Sequence, residues 1–292
     1  MAGTTEIKQQ LQRTNDSAPA IFERSMASWF KMNGKRLANF AGSDEQAKQY
    51  MSAMLYSASR NPRLMECSQA SLGDCLMQSA QLGLFPGAMQ EVAYLPFRVK
   101  GQMQCTFVPM YPGLLRLAYN SGLVRDISTG VVYEKDTFDY TDGTEKHLVH
   151  KPYEGPEEER GARTHVWCVI HLRTGGSVIK VKNAAWLERR RALSPSGKYD
   201  SGPWLSSDDN YDEMAQKSIL KYALKQIPKT KELALAIDFD NKVERPELAK
   251  HPVIELPDVE DLINNEGERD EKATTFDAAD PELGDSGSEV RK

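Results

Sequence analysis

The chain has 292 residues, is 40% hydrophobic and 27% charged, and carries a formal net charge of −5 at neutral pH. This is the composition of an ordinary globular protein, with no apolar run near the ~20 residues that span a bilayer. Its four cysteines, Cys67, Cys75, Cys105 and Cys168, form no CxxC pair, so neither a zinc site nor a disulfide framework is indicated, and buried free thiols are expected. The polar N-terminus, MAGTTEIKQQLQRTND, lacks the apolar core of a secretion signal, which predicts a cytoplasmic protein.

Residues 1–17 read as a disordered N-terminus. A helix is predicted over Pro19–Lys31, where Ile21, Phe22, Met26, Trp29 and Phe30 need cover, either from the chain's own core or from a neighbouring subunit. Ser43-Asp-Glu-Gln46 is a capping box opening a helix whose inner face is Ala47, Met51, Met54, Leu55 and Ala58. A further helix over Ser68–Leu82 stops at Gly83, with Leu84 set to pack back on its last turn.

Glu91–Phe97 and Gln102–Val108 read as a hairpin that shows Arg98 and Lys100 at its tip. A short helix, Gly113–Asn120, places Arg116 and Tyr119 side by side, and strands are predicted over Val124–Glu134 and Thr137–Tyr140. A polar loop with Pro152, Gly155 and Pro156 follows. Thr164–Arg173 and Ser177–Lys182 flank Thr174-Gly-Gly176 as a second hairpin, with Lys180 and Lys182 on one face. Asn183 caps a helix carrying Arg189, Arg190 and Arg191. A Ser/Gly/Pro-rich loop then holds Lys198, Tyr199 and Trp204.

The stretch Tyr211–Lys231 predicts one helix with two unlike faces. Ile219, Leu220, Ala223, Leu224 and Ile227 form the face to bury. Lys217, Lys221 and Lys225 step by four on another arc, with no acid at the i±4 positions between them to relieve their repulsion. A solvated lysine face is the plain reading; a polyanion bound along it is the sharper one. The charge distribution favours the second. Residues 244–292 hold fifteen acids against six bases, net −9, which leaves residues 1–243 at net +4 and residues 180–231 at net +5. The protein is thus a mildly basic body with an acidic mobile tail; a basic stripe is the electrostatic footprint expected of a nucleic-acid binder, and many ordinary proteins carry one too.

Phosphate-loop and metal chemistry are not indicated. No GxxxxGK[ST] occurs. His165, Cys168 and His171 lie on one predicted strand, where neighbours an odd number apart face opposite ways. Asp208, Asp209, Asp212 and Glu213 can be read as a Mg²⁺ cluster or as acids favoured by a helix N-terminus.

Several segments occur together, in order, in one known family. They are Asn61–Gly87, Tyr94–Phe97, Tyr111–Gly122, Val131–Tyr140, Lys146–Pro152, Gly202–Trp204 and Tyr211–Pro228. Over Ile21–Ile237 the chain resembles the RecT family of phage and prophage single-strand annealing proteins. The resemblance implies an α+β fold with a central antiparallel sheet and hairpins packed by helices. It implies ATP-independent pairing of complementary strands by a homo-oligomer or helical filament, on single-stranded DNA and on the annealed duplex. A phage exonuclease is an implied partner, and a host single-strand-binding protein is a further expected one. No obligatory cofactor is expected, although Mg²⁺ stays open.

On this reading residues 18–243 are the DNA-binding and oligomerisation domain. Lys217, Lys221 and Lys225 are the first phosphate contacts, then Arg189, Arg190, Arg191 and Lys198, then Arg98, Lys100, Lys180 and Lys182. Tyr111, Arg116, Tyr119 and Trp204 are candidates for stacking or base contact. The competing expectations are a passive single-strand-binding protein and a metal-dependent nuclease built on the four acids.

Overall fold

The computed structural model describes residues 17–194, 197, 202–205 and 207–244. The readings of residues 1–16, of Lys198 and Tyr199, and of the acidic stretch from 245 onward fall outside them. Among the described residues the chain runs α1 (Ala18–Ala41), α2 (Asp44–Arg60), α3 (Gln69–Leu82), β1 (Val92–Val99), β2 (Gln102–Pro109), α4 (Tyr111–Asn120), β3 (Val124–Tyr133), β4 (Thr137–Thr141), β5 (His147–Lys151), β6 (Arg163–Leu172), β7 (Ser177–Asn183), α5 (Ala184–Leu193), α6 (Asp208–Leu224) and α7 (Lys231–Glu244). The class is α+β, as expected. Its antiparallel strands form three sheets, ordered β1-β2, β3-β6-β7 and β4-β5.

The local signals explain most of these elements. Ser43 accepts from the backbone N–H of Gln46 at 3.2 Å, closing the N-terminus of α2. Gly83 ends α3 at φ 66°, and buried Leu84 donates its N–H back to Ser79 O at 3.1 Å. The turn between β1 and β2 has positive φ at both central residues, Lys100 (50°) and Gly101 (85°), as a primed hairpin turn requires. Helix α1 outruns its predicted end by ten residues because Leu37 and Ala38 are buried and continue its apolar stripe. Its Phe22, Met26 and Trp29 enter the chain's own core, while Ile21 remains exposed.

Two elements were not predicted. Strand β5 lies in what reads as a polar loop, and its pairing with β4 matches Phe138 with His150. Helix α7 buries Leu233, Ala236 and Ile237 at helical spacing. One apolar core joins α1, α2, α3, α6 and α7 to β1, β2, β3 and β6. Within it α6 packs against the β3-β6-β7 sheet, α4 and α5, and its Lys217 and Lys221 meet Asp240 of α7, so it is buried on more than the one face expected. Among the described residues no helix is long and apolar enough to cross a membrane.

Candidate nucleic-acid interface

Strand β7 is an edge strand of its sheet and runs directly into α5. Asn183 makes the join: its Oδ1 accepts from the Trp186 N–H at 3.0 Å and caps α5. The β4-β5 ribbon stands across from this junction. Between them lies a cleft of about 650 Å³. Phe138, Asp139 and Tyr140 of β4 form one wall, His165 of β6 contributes from the sheet, and Val181, Lys182, Asn183, Trp186 and Arg189 of β7 and α5 form the other.

Rings and cations alternate around this cleft. Phe138 stacks on His165, with centroids 5.4 Å apart. Trp186 meets Tyr222 of α6 edge to face at 5.7 Å. The Lys182 ammonium lies 4.6 Å from the Tyr222 centroid, and the Arg190 guanidinium 5.0 Å from that of Trp186. Arg189 is exposed at the rim. Burial lowers the pKa of His165, which favours the uncharged imidazole at the cleft. Asp142, at the ribbon's turn, is held below the usual carboxylate range, first by the Gly143 N–H and the Tyr140 hydroxyl, then by nearby Lys146 and Lys180. Cations beside stackable rings suit a chain of phosphates carrying flat bases, whatever their sequence.

Other predicted site residues stand elsewhere. Lys217 and Lys221 do share one face of α6, but that face is covered by α7. Their ammonium groups lie 2.7 and 2.6 Å from the two carboxylate oxygens of Asp240, and all three side chains are buried. The expected exposed lysine row is corrected accordingly. The relieving acid comes from nineteen and twenty-three positions later rather than from i±4. Of the three lysines only Lys225 is exposed. Trp204 is corrected as a stacking platform: it is 2% exposed and packs edge-on against Tyr211 at 5.3 Å.

Arg116 grips the buried Glu91 carboxylate at 2.7 Å through Nη1, which ties α4 to the start of β1. The Tyr111 hydroxyl pairs with Thr129, which donates to Gln216 of α6. Tyr119 is half-exposed, and its hydroxyl accepts from the Ile127 N–H. Arg191 is held by Glu188 and the Gly197 carbonyl. Arg98 and Lys100 are exposed at the β1-β2 tip, on a different sheet from the cleft. Lys198 lies outside the described residues. Of the four acids considered for Mg²⁺, Asp212 and Asp208 both bind Arg163, and Asp212 also accepts from the Tyr133 hydroxyl.

The structure thus sets Lys182 and Arg189 on the cleft, Arg190 over the Trp186 ring beside it, and Lys180 near Asp142 at the ribbon's turn. It adds Phe138, Tyr140, His165 and Trp186, which sequence reasoning did not assign to the site. The signal available for two of them was Phe138 and Tyr140 on one face of a short strand at period two.

A model of the RecT family matches residues 48–253, well over half of the chain. The chain belongs to the RecT family. Protein RecT of Escherichia coli (strain K12) is 33% identical to it over 186 residues, which cover 62% of this chain and 66% of that protein, slightly less than two thirds of its length. Within the RecT match lie every element from α3 to α7, and so the whole of the cleft.

Proposed function

We propose that this chain binds single-stranded DNA and speeds the pairing of complementary strands without nucleotide hydrolysis, as a RecT-type recombination protein acting in an oligomer. The cleft between the β4-β5 ribbon and the β7-α5 junction carries the reading, because it sets Lys182 and Arg189 beside Phe138, Tyr140 and Trp186. Strands that approach one another repel through their phosphates. Cations along one backbone screen that repulsion, and rings that hold bases loosely leave the pairing edges open to a complement. One cleft of this size holds a few nucleotides at most, so a row of subunits supplies the length. An exonuclease that exposes the strand and a host single-strand-binding protein that covers it are the partners this role calls for, and no cofactor is required by it.

The passive coating protein shares such a cleft, and mixing separates the two. Two labelled complementary oligonucleotides, incubated with the protein and without ATP, pair faster than the protein-free control if the reading is right. Slower pairing makes the chain a coating protein. Shortened strands in the presence of Mg²⁺ would identify a nuclease.

A further inference from the structure

The β4-β5 ribbon forms one wall of the cleft, yet among the described residues it pairs with no other strand. An isolated two-stranded ribbon is marginally stable in water. Side chains at its root hold it instead. Trp167 of β6 lies flat over Gly130 of β3, its register partner; a Cβ at Gly130 would stand 2.7 Å from the indole. The indole Nε1–H, a donor only, points at His150 Nδ1 of β5 at 3.0 Å. Nδ1 must therefore accept, so it carries no proton and the imidazole is the neutral Nε2–H tautomer. Nε2–H then donates to Asp136 Oδ2 at 2.9 Å.

Asp136 is itself fixed from several sides. Arg160 reaches Oδ1 with Nε at 2.8 Å and Oδ2 with Nη2 at 2.9 Å, and the backbone N–H groups of Tyr153 and Tyr133 each donate at 2.9 Å. The His150 side chain is 8% exposed and that of Asp136 is fully buried. On the ribbon, His150 is the register partner of Phe138 and meets it edge to face at 6.0 Å, while Phe138 stacks on His165 in the cleft.

We propose that His150 is a positioning residue for the cleft. Held between Trp167 and Asp136, it clamps the β4-β5 ribbon to the three-stranded sheet and sets how far Phe138 and Tyr140 stand from Lys182 and Trp186. The proposal rests on the reading of the cleft as the DNA site; the clamp itself has a readout that does not involve DNA.

Three variants separate the clamp from simple packing. Trp167→Phe keeps an aromatic ring on β6 but removes the N–H together with part of the indole, so its effect is read beside that of His150→Leu, which leaves the Trp167 ring in place. His150→Leu keeps bulk and removes both hydrogen bonds. His150→Gln retains one acceptor and one donor. Amide hydrogen exchange over 137–141 and 147–151 is measured on the full chain, together with the ¹⁵N-indole spectrum and the affinity for oligothymidylate. In the Trp167→Phe and His150→Leu variants, ribbon exchange quickens by about tenfold, the loss of a buried hydrogen bond, while β6 and β7 keep the wild-type rate. Their oligothymidylate affinity falls several-fold, and His150→Gln restores both properties to near wild type.

Ribbon exchange unchanged in Trp167→Phe, or as fast in His150→Gln as in His150→Leu, overturns the clamp. Lys182→Ala and Arg189→Ala test the site separately. If these leave affinity unchanged while the ribbon exchanges as expected, the clamp stands and the nucleic-acid reading fails. If they weaken binding and a loosened ribbon does not, the clamp does not position the site and the proposal is wrong.

Discussion

Asp240 lies between two ammonium groups, Lys217 Nζ at 2.7 Å and Lys221 Nζ at 2.6 Å, in a place that solvent hardly reaches. Three charges withdrawn from water are costly one by one and tolerable only together. Removing the carboxylate leaves two buried cations facing each other. Asp240→Ala is therefore expected to destabilise the fold by about 3–5 kcal/mol, read as a lower denaturation midpoint. The same geometry separates structural lysines from binding ones. Lys182→Ala or Arg189→Ala should weaken binding of single strands, oligothymidylate or mixed-sequence alike, and reduce the salt slope by about one. Lys217→Ala should lower stability and leave the salt slope of the folded fraction unchanged. A slope that falls by one in Lys217→Ala would return that lysine to the DNA path. Across the cleft, Phe138→Ala should cost roughly 1–3 kcal/mol of binding if bases stack there, measured by titration at fixed salt.

Helix α7 decides the fate of α6. It buries Leu233, Ala236 and Ile237 and brings Asp240 onto the lysine face. In the three-stranded sheet, Gly130 is the element's point of close approach. Any side chain there meets the Trp167 ring, at 2.7 Å for a Cβ alone. Gly130→Ala is expected to cost about 1–3 kcal/mol by overpacking, with a changed Trp167 indole signal. An alanine variant as stable as wild type would show that the ring can move aside freely. The ribbon shows the opposite case: among the described residues its strands pair only with each other, so its position depends on a few side chains at its root.

For the molecule as a whole, two carboxylates tie acid stability to tertiary structure. Burial alone would raise the pKa of Asp240, but the charges of Lys217 and Lys221 outweigh it and hold the group below its ordinary value. Burial likewise opposes ionisation of Asp136, and the hydrogen bonds from Arg160, His150 and two backbone N–H groups overcome it. A folded pKa below the unfolded one stabilises fully above the unfolded value of about 4, and the gain is lost as pH falls from there toward the folded value. Stability should therefore be flat near neutrality and fall below about pH 4, more gently in Asp240→Asn, as followed by denaturant midpoints across pH. The sequence by itself determined much of this protein: the caps at Ser43 and Asn183, the β1-β2 and β6-β7 hairpins, the α+β class, the basic stretch that holds Lys182 and Arg189, and the family likeness. These depend on neighbours within a few residues, or on motifs in fixed order. Only the tertiary structure decided that Lys217 and Lys221 are interior and that Phe138 faces Trp186 across a cleft, because Asp240, β5 and the ribbon reach those places from positions distant in the chain.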